Sequence, residues 1–268
     1  MKCVAIIINY AKSGVAALTE EVCVQLRHAG IKPFIIKGDN VSAVLEAERC
    51  EAMIVIGGDG TILSAARMAV PCDIPVLGVN MGRLGFLAGV ERHEIGMLSR
   101  LATGDFMLEH RMLLETKVLQ GGETVREHLC INDAVVSRYA TPRMVEIPVA
   151  CDGHKLVYHG DGVIFSTPTG STAYAFSAGG PVVDPRFASI LLTPIRNHRL
   201  FNRAILFAPD TEFVTEITQE GMALTHDGEP QFVLSAGQTV TVRRAKQTVR
   251  FIRIKEQSVI DILSEKLN

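Results

Sequence analysis

The 268-residue sequence predicts an α/β domain joined to a β-rich one. Three observations carry this. Through the first hundred residues short β-branched runs alternate with helical patterns, the signature of a parallel sheet with crossover helices. From about Arg111 the pattern changes to alternating residues broken by glycine turns. Near the end, one more strand-like run is followed by an amphipathic stretch able to pack back on the first domain.

Taken in order, "VAIIIN" (4–9), "FIIK" (34–37), "MIVIG" (53–57) and "IPVLGVN" (74–80) read as strands. Residues 16–29 carry apolar positions at helical spacing and stop at Gly30, a glycine suited to the position after a helix. Residues 62–70 and 94–102 are the next helices. Together they predict a Rossmann-like α/β domain. In the second half, "MLLETKVLQGGETVREHLC" (112–130) sets Gly121-Gly122 between two alternating runs, and Asp152-Gly153, Asp161-Gly162 and Asp227-Gly228 are further turn signals. That half is predicted to be β-sandwich-like. "VRFIRI" (249–254) and "SVIDILSEKLN" (258–268) read as a strand and a returning helix. The expected boundaries are therefore 1–110 with 245–268 for the α/β domain, and 111–244 for the β-rich one.

Composition narrows the function classes. With 47% apolar and 21% charged residues and a formal net charge of -2, the chain lacks the basic excess of a sequence-independent nucleic-acid binder. The six cysteines (Cys3, Cys23, Cys50, Cys72, Cys130, Cys151) are scattered without a CxxC pair, which fits reduced thiols better than a disulfide framework or a zinc site. The amino-terminal apolar run is short for a signal segment, and no run reaches about 18 apolar residues. A cytoplasmic protein with no membrane partner is expected.

The chemistry concentrates in four stretches. In "VIGGDGTILSA" (55–65), Gly57, Gly58 and Gly60 surround Asp59 at a strand-to-helix turn, where an open parallel sheet places its ligand crevice. Glycines let backbone N–H groups approach phosphates, and the helix N-terminus adds partial positive charge. The loop is not of the P-loop type, since no lysine and Ser/Thr pair follows, and Leu63 stands where a third dinucleotide-fingerprint glycine would be. A carboxylate beside phosphate is repelled unless a metal intervenes or its true neighbour is a hydroxyl. Both cases point to phosphoryl transfer, with Asp59 orienting the attacking hydroxyl and magnesium bridging the donor phosphates. The plainer reading is that Asp59 caps a helix starting at Thr61.

A second glycine turn, "GVNMGRLGFLAGV" (78–90), offers Arg83 to a phosphate and Phe86 to a base, unless Phe86 belongs to the core. The third stretch, "HGDGVIFSTPTGSTAYAFSAGGPVV" (159–183), carries no charge from 162 onward and reads as neither a regular strand nor a regular helix. Its hydroxyls and the ring of Tyr174 suit a nucleotide lying along the chain; a buried turn-rich connection is the alternative. In "INDAVVSR" (131–138), the amide of Asn132 can read a base edge and the carboxylate of Asp133 can hold a ribose diol, although Asn-Asp is also ordinary turn chemistry.

In their order and spacing, "GGDGT" (57–61), "NMGRLGFL" (80–87), Asn132-Asp133 and "DGVIFSTPTGSTAYAFSAGGP" (161–181) resemble NAD kinase of the bacterial type. GGDGT alone is shared with lipid kinases, whereas TPTGSTAY is specific. The resemblance implies ATP- and magnesium-dependent phosphorylation of the 2′-hydroxyl on the adenosine ribose of NAD, giving NADP, with polyphosphate as an alternative donor. It implies Asp59 as the catalytic residue that orients or deprotonates that hydroxyl, with Gly57, Gly58 and Gly60 shaping the phosphate turn and Asn80, Arg83 and Phe86 on the next loop. It also implies Asn132 and Asp133 holding adenosine, and Thr172, Ala173, Tyr174 and Ser177 lining the dinucleotide groove. Asp161 resembles the family aspartate at the nicotinamide end, and Asp227 a late aspartate near the same pocket. No metal ligand is assigned, and a homotetramer or dimer is implied.

Two departures stand out. His159 takes a position where many relatives carry arginine, and Arg196-Asn197 differ from a stretch that often reads "ICPHTL", with His198 at its histidine. The competing readings are a GGDGT lipid kinase, which would lack TPTGSTAY, and a catalytically idle nucleotide sensor, which would lack the acid at 59.

Overall fold

The computed structural model describes residues 1–9, 14–36, 45, 49–82, 85–198, 202–229, 231–256 and 258–267. The chain divides into two compact units, Met1–His110 with Val249–Asn268, and Arg111–Thr248. Among the described residues no helix is long and apolar enough to cross a membrane.

The first unit is α/β. It runs β1 (Cys3–Ile8), α1 (Val15–His28), β2 (Lys32–Ile35), β3 (Ala52–Gly57), α2 (Asp59–Ala69), β4 (Val76–Asn80) and β5 (Ala88–Val90), then a 3₁₀ segment (Arg92–Ser99) and α3 (Arg100–Thr103). The strands order as β2-β1-β3-β4, all parallel, with β5 also beside β4 and Phe251 of the returning chain pairing with Val76. Every residue of β3 is buried, as a parallel strand covered on both faces demands; this is why its sequence is an unbroken apolar run. Leu18, Val22 and Leu26 of α1 pack with Val4, Ile6, Ile54 and Ile56 in one core. Several boundaries differ from expectation, among them β2, read at 34–37 but found at Lys32–Ile35, with residue 37 outside the described residues. The stretch expected as one helix over 94–102 is 3₁₀ to Ser99 and α-helical only from Arg100. The helix after the GGDG turn starts at Asp59, not at 61 or 62.

The second unit is built of antiparallel sheet. Its strands are β6 (Met107–Gln120, the first four residues of which belong to the first unit), β7 (Glu123–Cys130), β8 (Asp133–Arg138), β9 (Val145–Cys151), β10 (His154–Gly160) and β11 (Gly162–Ser166). After the short α4 (Tyr174–Ser177) come β12 (Ile190–Ile195), β13 (Ile205–Phe207), β14 (Phe213–Glu216), β15 (Met222–His226), β16 (Phe232–Leu234) and β17 (Thr239–Arg253). The last five residues of β17 belong to the first unit, as does α5 (Val259–Leu267). One sheet orders as β13-β12-β11-β8-β15-β16; the other joins β10-β9-β14 to β17. Side chains of both, among them Val136, Phe165 and Leu192 on one side and Ile147, Phe213 and Val242 on the other, form a single core. The rings of Phe165 and Phe213 lie 5.2 Å apart. Each such ring buried contributes about 1.5–3 kcal/mol.

The turn signals resolve into two kinds. Gly121-Gly122, Asp152-Gly153 and Asp227-Gly228 are all at positive φ, and the first two close the β6–β7 and β9–β10 hairpins. Asp161-Gly162 closes no hairpin: it is where the chain leaves β10 in one sheet and enters β11 in the other. The expectation that 159–183 holds no regular element is corrected here. Residues 162–166 form β11, paired to β8 and β12, because the five residues GVIFS are apolar or small enough to be buried on both faces.

Candidate active site

In the first unit the site grows from the end of β3. Gly57 is required by packing, since a Cβ there would lie 2.7 Å from Cβ of Thr61. Gly58 is the N-cap in extended backbone with no side-chain cap bond, and its carbonyl accepts from the N–H groups of Thr61 and Ile62. A Cβ at Gly60 would meet nothing within 4 Å, so the fold itself does not demand that glycine.

Asp59, half-buried, is the first residue of α2, one position after the N-cap Gly58. Its carboxylate accepts from two backbone N–H groups of the loop after β4: Phe86 to Oδ2 at 2.9 Å and Leu87 to Oδ1 at 3.2 Å. A carboxylate has about four lone-pair sites. Each carboxylate oxygen thus takes one backbone amide from the loop. Gly85 makes this possible, because a Cβ at 85 would sit 2.1 Å from Oδ1 of Asp59.

Asn80 is buried, and its amide donates to Oε2 of Glu91 at 2.9 Å while its carbonyl oxygen accepts from the N–H of Gly82. Those bonds hold the ends of the loop. Phe86 is half-buried. Arg83 lies outside the described residues.

In the second unit a second carboxylate is clamped by backbone. Asp227 accepts from the N–H groups of Ile131 (2.9 Å), Asn132 (2.7 Å) and Asp133 (3.0 Å). Three donors in succession fix the turn that presents Asn132 and Asp133. The TPTGST loop packs on the same turn: Thr167 donates its hydroxyl to Ile131 O at 2.6 Å and its N–H to Asn132 O. A Cβ at Gly170 would lie 2.1 Å from Asn132 O. Asp133 itself is 4% exposed, and burial first, with the charge of Asp227 second, pushes its carboxyl up to about 7.

Beyond this turn lies a groove of about 630 Å³ lined by Arg138, Asp161, Tyr174, Ser177 and Arg196 among others. Asp161 is bracketed by guanidinium groups, Arg138 Nε at 2.8 Å and Arg196 Nη1 at 3.4 Å. The ring of Tyr174 is 46% exposed, open to a planar partner. Thr172 is half-buried and bonded back to Thr169 O, and Ala173 is the N-cap of the one-turn α4. His159 is tied through its backbone to Asn197 and His198, with Glu146 3.7 Å from its Nε2.

The expected residues thus fall into three groups: Gly57, Gly58, Asp59 and Gly60 with the 85–87 loop; Asn132, Asp133 and Asp227 with the TPTGST loop; and Asp161, Tyr174 and Ser177 in the groove. Gly85, Gly170 and Arg138 were not singled out from sequence. The two glycines sit inside quoted motifs, so motif membership was the available signal; what they nearly touch was not. The departure at Arg196 brings a second guanidinium to Asp161.

A carboxylate held at the turn after a parallel strand in one unit, and a hydroxyl-rich loop and a polar groove in the other, are features a phosphotransferase acting on a nucleotide would use. The family is specific. Residues 8–106 match the ATP-NAD kinase N-terminal domain and residues 131–254 the ATP-NAD kinase C-terminal domain. Among relatives, the NAD kinase of Natranaerobius thermophilus is 35% identical over 281 residues, covering 100% of this chain and 98% of the relative. That of Heliobacterium modesticaldum is 42% identical over 222 residues, covering 81% and 78%. Among solved structures, yeast NADH kinase complexed with NADH has a TM-score of 0.88 at 24% identity, covering 100% of this chain and 87% of that one. An Archaeoglobus fulgidus NAD kinase in complex with ATP gives 0.81 at 20%, covering 98% and 99%. The chain belongs to the NAD kinase family, an enzyme family of kinases that phosphorylate NAD, and the lipid-kinase and idle-sensor readings fall away.

Proposed function

We propose that this chain transfers the terminal phosphoryl group of ATP to the 2′-hydroxyl of the adenosine ribose of NAD, with Asp59 aiming that hydroxyl. The observation that carries the role of Asp59 is its paired backbone clamp: the amides of Phe86 and Leu87 hold its carboxylate in a fixed direction at the turn after β3. It accepts the hydroxyl proton or orients its lone pair toward the phosphorus; a positioned acid or base of this kind is worth about 10²–10⁴ in rate. Gly60, which the fold does not require, leaves the turn open to phosphate oxygens.

On the acceptor side, Asn132 and Asp133 hold adenosine, Tyr174 stacks on a planar ring of the dinucleotide, and Thr172, Ala173 and Ser177 line its path. Asp161 and His159 stand toward the nicotinamide end. Asp227 acts one step back, through the three N–H groups it fixes.

Magnesium binds hard oxygen ligands and keeps several waters. No group of three or more His, Cys, Asp or Glu among the described residues is placed to hold an ion unaided. The ion proposed here would be carried on ATP phosphates, where it would supply charge neutralisation to the transferred group. A homotetramer or dimer in the cytoplasm, with reduced cysteines, completes the reading.

The test is direct. Purified protein with NAD, ATP and magnesium should form NADP, read by a coupled NADP-specific dehydrogenase, and polyphosphate in place of ATP tests the donor. No NADP from either donor would overturn the proposal.

A further inference from the structure

The amides that hold Asp59 belong to the loop just before β5, whose described residues 85–87 lie in no strand. Its carbonyl side faces Arg253, at the end of β17 in the returning segment of the first unit. Arg253 Nη1 donates to Leu87 O at 3.2 Å and to Ala88 O at 2.8 Å, and Nη2 approaches Phe86 O at 3.5 Å. Its Nε donates to Glu109 Oε2 at 2.7 Å, and the guanidinium is only 13% exposed. The peptide group joining Phe86 to Leu87 therefore has its carbonyl toward a cation and its N–H on the Asp59 carboxylate. Bonds in such a chain polarise and orient one another.

We infer that Arg253 is a positioning residue for phosphoryl transfer: anchored by Glu109, it fixes the 86–88 carbonyls so that the opposite edge of the loop holds Asp59 in its working direction. This rests on the reading of Asp59 given above. The planar fork of arginine matters, because one guanidinium must serve carbonyls and a carboxylate at once, and lysine offers a single point charge instead. The device also gives a reason for the chain to return to its first unit: β17 delivers the clamp.

Misplacing a reacting group by about 1 Å can cost about 10²-fold in rate. Arg253→Met is therefore expected to lower kcat about 10²-fold while the dissociation constant for NAD and the KM for ATP stay within about twofold. Arg253→Lys should recover only a small part of the loss, and guanidinium ion at non-denaturing concentration should partly restore kcat to Arg253→Ala. A loss of packing alone would move the melting temperature and would not respond to guanidinium. Should the Arg253 variants fail to fold, Glu109→Gln decides: it leaves the guanidinium in place but loosens its anchor, and a several-fold fall in kcat with unchanged KM is expected. Asp59→Asn run alongside separates the two ideas. If it keeps turnover, the assigned role of Asp59 fails. If it loses turnover while folded Arg253→Met, or Glu109→Gln, keeps a normal kcat, the positioning role of Arg253 is overturned.

Discussion

Two aspartates in this molecule are held the same way and used differently. Asp59 takes two backbone N–H groups from a loop reached through the next strand, and Asp227 takes three from the turn before β8. At Asp59 the loop is built to present the carboxylate. At Asp227 the carboxylate holds the backbone, and the neighbours it fixes include Asn132 and Asp133, the residues proposed to hold adenosine. Backbone amides thus serve as a mount for an acid in one unit, and an acid serves as a mount for backbone in the other.

The contrast can be broken at its strongest point by Gly85→Ala. The added methyl would meet Oδ1 of Asp59, the far end of a side chain, so the easy relief is for the carboxylate to swing out. A fall in kcat of about 10² with a nearly unchanged melting temperature is expected, since a misplaced reacting group costs that much. Normal turnover would show that the mount is not needed.

Asp227→Ala should do the reverse. It strands three N–H groups and should lower stability by about 1–3 kcal/mol, measured by urea denaturation, and weaken NAD binding more than it slows the chemical step in single-turnover experiments. A selective loss of the chemical step would put Asp227 on the same footing as Asp59.

A smaller effect sharpens the second mount. Asp133 sits at about 7, raised by burial and by the Asp227 charge. A carboxyl raised on folding favours the protonated native state, so its stabilising contribution is full below about pH 4 and lost as pH climbs through about 7. Holding a ribose diol needs the ionised form. Affinity for NAD should therefore rise a few-fold between pH 6 and 8 by calorimetry, against a small decline in stability of the free protein, and Asp133→Asn should flatten both.

Much of this was legible beforehand, for physical reasons that differ by element. The buried parallel strands announce themselves because both faces must be apolar, as in 53–57. The Gly121-Gly122 and Asp152-Gly153 hairpins are visible because only a few residues tolerate left-handed backbone. β11 was hidden: its hydroxyl- and glycine-rich continuation masks five residues that are ordinary buried strand. The start of α2 was misplaced by two residues because Gly58 caps it through the backbone alone, leaving no side-chain signature. Within the candidate site, Asp59 was singled out from charge, since a lone carboxylate among phosphate-seeking glycines asks for an explanation. Gly85, Gly170 and Arg253 were not, because what makes each matter is a distance to a residue far along the chain, and spacing does not encode that.

The central claim is that the Asp59 carboxylate aims the acceptor hydroxyl, and Asp59→Asn measures it most directly, because the amide keeps the size of the side chain while losing its charge. With NADP formation and NAD affinity recorded on the same preparation, kcat should fall by about 10²–10⁴ while the dissociation constant for NAD changes little. Turnover within a few-fold of the parent, or a loss traceable wholly to weaker NAD binding, would contradict it.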